Sequence, residues 1–557
     1  MSTAIRKQGD AANAASRASK PAKPTNRQRR VARRERTREV TEFRIRRAAR
    51  DMATSMKETT AEKRERRLTD LNKLVAAAAD HHLYLRAAAL PDKEDRTPGR
   101  PTMFPNFVML LFGQAISIFG SAANTSVWFS DDTVWNLVRD TIRDNIDPKL
   151  AADLPDTGPM LHQWNHFQRK FKKRDWLPLL HDAQRATAAQ RALDMGMFDP
   201  AERFRITDVD RRFVVTFDGK VSTSPSRHAP GTEWVNKVTG EVKTRKFDPN
   251  SKSWPEGGTA PVPPGADAAT IAKHHAKAGA RFEWGPKGTY AWARLGYYGT
   301  RLILDVETMS PEDGDEAAAI GRITDGLLDR LPGIQTLVMD GVYHSVHIDP
   351  YMRKGLLVVN KPQSGPKNSA NSVKVGERWE KSHHIETVEV PRGTGVCRHR
   401  IYGIGGSAYE QKVDAAGTPE YVLLPGRTIR RKRATYTDWY RLVNIDCTRC
   451  GGKAEHPIAL GTQKDDGFKR SEYLRQVPMT DEQFKRAYGF RPDAESGNKD
   501  IEEAWHLKRM PAWGWHNQAL RMLLHAGQVN AQAWAIHLAR LADYDLLPED
   551  DGDPQVA

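Results

Sequence analysis

The chain has 557 residues, 39% of them hydrophobic and 28% charged, which points to several domains with a substantial core and excludes a wholly disordered protein. Three cysteines exclude a disulfide scaffold and fit a reducing cytoplasm, and a mean hydropathy of −0.65 argues against a polytopic membrane protein. The net charge of +16 calls for a polyanionic partner.

Residues 1–70 carry 21 Lys and Arg against 9 Asp and Glu, a net of +12, which leaves +4 for the rest of the chain. With Phe43 as its one aromatic residue, this segment is expected to be a basic DNA-binding arm, largely disordered or helical. It has no apolar signal-peptide core, so the expected location is cytoplasmic, at the nucleoid. Residues 71–200 read as an α-helical domain. Helical patterning covers 68–100, 121–146 with Ser130-Asp131 as a cap, and 176–195. The apolar stretch 107–119, FVMLLFGQAISIF, is too short to span a bilayer and reads as a buried core helix.

Residues 201–365 change to an α/β pattern. A strand over 213–217 ends in Asp218-Gly219, and a polar Gly/Pro-rich insertion follows at 223–285. Strands are expected at 289–295 and 300–306, a helix at 315–330, a strand at 334–339 ending in Asp340-Gly341, and a short strand at 355–360. Residues 366–478 read as a β-rich insertion containing the basic cluster RTIRRKR at 427–433. Residues 479–547 turn helical, with Thr480 and Gln483 spaced as a capping box, and 548–557 form an acidic tail.

Asp218 and Asp340 end predicted strands, and Glu495 opens a predicted helix. Metal-dependent phosphoryl transfer needs such a set, because a few carboxylates can hold two Mg²⁺ or Mn²⁺ ions about 3.5–4 Å apart. Asp-Gly after a strand is equally the commonest hairpin signal. Residues 488–495, YGFRPDAE, place Arg491 three positions after Tyr488 and Glu495 four after Arg491. This spacing resembles the Y-R-E-K signature of bacterial insertion-sequence transposases of the DDE type. DGVYHS at 340–345 resembles their second-aspartate motif, VVTFDGKV their first-aspartate strand, and the long β-rich gap between Asp340 and Glu495 matches as well.

The resemblance covers about 203–545 and implies a ribonuclease H-like catalytic core with a β-rich insertion. It implies Mg²⁺ or Mn²⁺ on Asp218, Asp340 and Glu495, cleavage at element ends, and strand transfer into target DNA. Tyr488 and Arg491 would contact phosphates, Arg through its planar fork. The partners implied are double-stranded DNA, as terminal inverted repeats and target, and further copies of the chain. The sequence departs from the signature where its Lys belongs, at Glu502; Lys499, one helical turn after Glu495, or Lys508 would supply the charge. Asp493 rivals Glu495 and Asp305 rivals Asp218, with spacing and strand order favouring Glu495 and Asp218.

Cys397-x-His399 and Cys447-x-x-Cys450 make four N/S ligands that would suit a tetrahedral structural Zn²⁺, with His456 as an alternative ligand and reduced, packed thiols as the plain reading. Trp379, Trp439, Trp513 and Trp515 could pack in the core or stack on an unpaired base, with Trp439 the best placed for stacking. His344 and His347 neighbour Asp340, and Asn498 shares a helix face with Glu495. The leading expectation is a DNA transposase. Its rivals are a domesticated, catalytically impaired sequence-specific DNA-binding protein, favoured by the missing Lys, and a nuclease that cuts without joining.

Overall fold

The computed structural model describes residues 61–91, 103–226, 233–235, 241–244, 246–255, 282–296, 299–309, 316–392, 395–462, 468–505 and 508–545. The basic arm up to residue 60, the acidic tail and much of the polar insertion lie outside the described residues. The chain forms two units, residues 69–534 and residues 1–68 with 535–557. The described parts of the second are the first residues of helix α1 and the last of helix α13.

Helices α1 (Ala61–Ala78), α2 (His81–Ala88), α3 (Asn106–Phe119), α4 (Ala122–Phe129), α5 (Asp132–Asn145), α6 (Pro148–Ala152), α7 (Leu161–Lys173) and α8 (Leu177–Asp194) come first. Asp80 stops the expected long helix after α1 by accepting the His82 N–H as the cap of α2. Asp131 caps α5 through the Thr133 N–H, so the Ser130-Asp131 pair separates two helices. Helix α3 is buried along nearly its whole length, as its all-round apolar sequence requires.

Strand β1 (Val214–Val221) follows, then the short pairs β2 (Glu233–Val235) with β3 (Val242–Thr244) and β4 (Lys252–Pro255) with β5 (Phe282–Gly285). Next come β6 (Lys287–Arg294), β7 (Arg301–Thr308), helix α9 (Glu316–Leu328), β8 (Thr336–Val338), helix α10 (Ser345–Arg353) and β9 (Leu357–Val359). The central sheet has the order β7-β6-β1-β8-β9. The pairs β7/β6 and β6/β1 are antiparallel, and β1/β8 and β8/β9 are parallel. The chain is therefore of mixed α/β architecture.

Successive residues on β6 face opposite sides of this sheet. Ala291 and Ala293 join a core with α9 residues Ile320, Ile323 and Leu327, whereas Tyr290 and Trp292 join the core of the N-terminal helices. Ala189 and Ala192 of α8 join the first of these cores, so the helical region packs on both faces of the sheet.

The β-rich expectation for 366–478 corresponds to two antiparallel sheets. One holds β10 (Ser372–Val375), β11 (Arg378–Arg392), β12 (Gly395–Ile404), β13 (Ser407–Val413) and β14 (Pro419–Leu423) in that order. The other holds β15 (Gly426–Lys432), β16 (Thr437–Asp446) and β17 (Lys453–Ala459). Helices α11 (Glu482–Tyr488), α12 (Pro492–Glu503) and α13 (Trp515–Asp545) complete the described chain. The Thr480/Gln483 capping box does not form. Asp481 is the N-cap of α11 without a side-chain cap bond, and the Thr480 hydroxyl instead lies 2.9 Å from that of Ser407.

Candidate active site and thiol cluster

Strand β1 runs through Asp218-Gly219 instead of turning there: Asp218 pairs with Tyr290 and Gly219 with Thr289 on β6. Along the parallel partner, Thr216 is level with Val338. Asp218 lies within β1, and Asp340 follows two residues after the end of β8, its parallel neighbour, near enough for the charge of Asp340 to act on Asp218.

Helix α12 lies against this sheet end through Gly497, where a Cβ would come within 2.6 Å of the buried Trp292 ring. That close approach delivers two side chains. Asn498 Nδ2 donates to Asp218 Oδ2 at 2.8 Å. Glu495, at the first turn, accepts from Arg491, whose other guanidinium nitrogen lies 3.4 Å from Asp340 Oδ2. Tyr488 Oη donates to Asp340 Oδ1 at 3.4 Å, its ring stacked on Phe484 and lying 4.9 Å from the Lys361 ammonium. The five residues Asp218, Asp340, Tyr488, Arg491 and Glu495 thus gather at one end of the sheet, with Arg491 bridging two of the acids.

The electrostatics differ from acid to acid. Asp218 is pushed up to about 6, first by burial and then by the neighbouring carboxylates Glu316 and Asp340, against Arg491 and the Gly219 N–H. Asp340 and Glu495 are more open, at 58% and 49% side-chain exposure, so solvent and a large ligand reach them. Burial and Asp340 raise the Tyr488 phenol to about 12.

The rival acids are structural. Asp305 is fully buried, 2.6 Å from His181 Nε2 and 2.6 Å from Arg185 Nη2. Asp493 is buried and paired with Arg294 at 2.8 Å and Arg211 at 3.6 Å. Lys499 is drawn away from the acids, 75% exposed and 3.8 Å from Glu503. Asn498 orients Asp218 and not Glu495, the partner its helix face suggests. His344 faces Glu472 at 3.6 Å and Gln363 at 3.0 Å, and the His347 ring stacks on Tyr343. Two participants have no signal in the sequence. Glu316 pairs with Lys287 at 2.5 Å and adds negative charge near Asp218, while Lys220 pairs with Glu502.

The cysteines form a second candidate site. The sulfurs of Cys397, Cys447 and Cys450 lie within 4.8 Å of one another, the one such metal-ligating group among the described residues. Cys397 is on β12, and the other two flank the turn from β16 to β17. There Gly451 takes a φ of +66° and the Gly452 N–H lies 3.4 Å from Cys450 Sγ. This soft donor set fits a metal such as zinc. His399 is not part of it: buried, its Nδ1 lies 2.6 Å from Glu410 Oε1. His456 is likewise engaged, 3.2 Å from Glu386.

Trp439 is a core residue, 2% exposed, with its indole N–H donated to Met352 O at 2.8 Å, which removes it as a stacking platform. The Trp515 indole donates to Thr308 O, Trp379 is half-buried, and Trp513 stays 46% exposed. Among the described residues no helix is long and apolar enough to cross a membrane. No protein-family model matches the chain, and no curated protein matches its sequence.

Proposed function

We propose that the chain is a DDE-type DNA transposase that cuts element ends and joins them to target DNA. The observation that carries this reading is the placement of Asp218 on β1 and of Asp340 just past the end of its parallel neighbour β8, with Arg491 and Glu495 brought against them at the start of α12. The strand order β7-β6-β1-β8-β9, antiparallel on one side of β1 and parallel on the other, supports a ribonuclease H-like core.

The donor set is all oxygen, which would suit hard divalent cations such as Mg²⁺ or Mn²⁺, although its carboxylate oxygens do not converge as the three thiols do. Bound there, such ions would activate the attacking oxygen and stabilise the leaving one. The protein's own share is positioning. Asn498 fixes the Asp218 carboxylate, and Arg491 bridges Asp340 and Glu495, which together with Asp218 would hold the metal. Released from them, the guanidinium fork suits a phosphate of the bound strand, and the Tyr488 phenol beside Asp340 can donate to another. The N-terminal basic residues would add sequence-independent grip, and two element ends imply more than one copy of the chain. In the β-rich insertion, the three thiols would hold a structural Zn²⁺ with a fourth ligand from outside the cluster.

Cleavage of duplex DNA from the edges of the chain's own gene, with Mg²⁺ or Mn²⁺, tests the reading. Cuts at the element boundary that Asp340→Ala abolishes are expected. Binding without cutting, equal in wild type and variant, would instead favour the DNA-binding protein without catalysis, and cutting without joining a nuclease.

A further inference from the structure

Helix α12 touches β1 at two places, not one. Glu495, Asn498 and Glu502 are spaced three and four residues apart and form one stripe of the helix. Asp218 and Lys220, two apart on β1, share one face of the strand. Asn498 meets Asp218, and one step along Glu502 meets Lys220 through a short ion pair. Lys508 approaches the same carboxylate, 3.4 Å from Glu502 Oε2 and 68% exposed.

Two ammonium groups against one carboxylate leave local positive charge beside the acids. The Lys220 side chain is only 14% exposed, so its ammonium is held in place instead of sweeping through solvent. A lysine has three donors, and the bond to Glu502 uses one of them. Glu502 is held below the usual carboxylate range by that bond, so it keeps its charge and its grip. Along the strand, Lys220 sits about 6.7 Å beyond Asp218.

We infer that Lys220, held in place by Glu502, binds a backbone phosphate of the cleaved DNA strand next to the scissile one. Lys220 is then a substrate-binding residue and Glu502 a positioning residue. This rests on the transposase reading.

The test uses the full-length protein and duplex DNA from the edges of its gene. Binding is measured over a KCl series without divalent metal, and cleavage with Mg²⁺. Lys220→Gln is expected to lower the slope of log K against log salt by about 0.9, one phosphate contact. It should also slow cleavage about 10- to 100-fold. Lys220→Arg should recover most of both. Glu502→Gln keeps the Lys220 charge, so it should leave the salt slope near wild type while cleavage still falls. A wild-type slope and cleavage rate in Lys220→Gln would overturn the inference. So would a drop in Tm with the slope unchanged, since the pair would then only staple α12 to β1. If Lys220→Gln does not fold, Glu502→Gln decides, and undiminished cleavage there overturns it. A wild-type protein that neither binds nor cuts this DNA would remove the transposase reading itself, a result distinct from an indifferent Lys220.

Discussion

Two aspartates on one sheet have opposite surroundings. Asp305 on β7 lies opposite Ala291 and Asp218 on β1 lies opposite Tyr290, neighbours on β6, so the two acids face opposite sides. On its side, Asp305 meets Arg185 and His181 from α8. Although burial opposes ionisation, these partners hold it below the ordinary carboxylate range. On the other side, Asp218 meets Asn498, and burial, with Glu316 and Asp340 adding to it against Arg491, pushes it up to about 6. A carboxylate that only holds a fold comes with its cations. A carboxylate placed among other carboxylates, with Arg491 shared between two of them, leaves room for cations from outside.

The largest expected difference follows from that contrast. Asp305→Asn takes the counter-ion from the half-buried Arg185 guanidinium and from His181, which costs up to about 3 kcal/mol. Asp218→Asn gives up one of two accepted bonds, from the Gly219 N–H or from Asn498, but relieves the burial of a charge and the like-charge crowding, so Tm should move less than for Asp305→Asn while cleavage is lost. Thermal melts of the two variants beside the cleavage assay check this. A destabilised Asp218→Asn with a stable Asp305→Asn would invert the assignment of roles.

Much of this was legible in the sequence, for identifiable reasons. Strands β6 to β9 and helices α3, α5, α8, α9 and α13 announce themselves by apolar period and by caps such as Asp131. Helix α7 is readable in the same way, since Trp164, Phe167 and Phe171 repeat at helical spacing and are buried. The acids were reachable because their motifs are local: an Asp after a run of β residues, and Tyr, Arg and Glu within eight positions. The pairs Lys220–Glu502 and Asp218–Asn498 were not, because their partners lie 282 and 280 residues apart and only the packing of α12 on β1 joins them. Local spacing also misleads. Cys397 and His399 share a strand face, yet Glu410 on the neighbouring strand captures the histidine.

The thiol cluster gives the next effect in size. It brings β12 of one sheet together with the β16–β17 turn of the other through three sulfurs and no carboxylate. Cys450→Ser should remove bound zinc, read by elemental analysis. Zinc at a hundredfold excess over its Kd adds about 2.7 kcal/mol to stability. The variant should lose that increment and wild type should lose it in chelator. Wild-type protein purified without zinc, and equally stable with or without it, would reduce the cysteines to packed thiols.

The geometry that brings α12 to the sheet predicts a smaller loss. Alanine in place of Gly497 gains up to about 1 kcal/mol of helix propensity. Its Cβ would meet the Trp292 ring at 2.6 Å, and that ring is fully buried and has nowhere to go. Overpacking costs about 1–3 kcal/mol, so a net loss is expected. Cleavage should fall further than stability, because α12 carries Glu495 and Asn498. A Gly497→Ala protein more stable than wild type would show that the helix can back away from the sheet.

The smallest effect near neutral pH comes from two buried histidines remote from the acids. His525 is pushed down to about 3 by burial, with Arg521 and Lys73 adding to it, and neither ring nitrogen finds a hydrogen-bond partner. His82 is lowered to about 4 by burial and by Arg191. Both values lie below the ordinary histidine value of about 6.5, so the unfolded chain takes up these protons first. Stability is therefore full well above about pH 6.5 and falls as the pH drops toward the folded-state values, by at most about 1.4 kcal/mol per pH unit for each histidine. Between pH 7.5 and 6.5 each histidine loses only about 0.35 kcal/mol, and the slope steepens below. Melting temperatures taken from pH 7.5 to 4.5 should show this curvature. His525→Gln, which cannot take up the proton in either state, should reduce it by one histidine's share; an unchanged curve would mean that His525 is protonated as readily in the folded protein as in the unfolded chain.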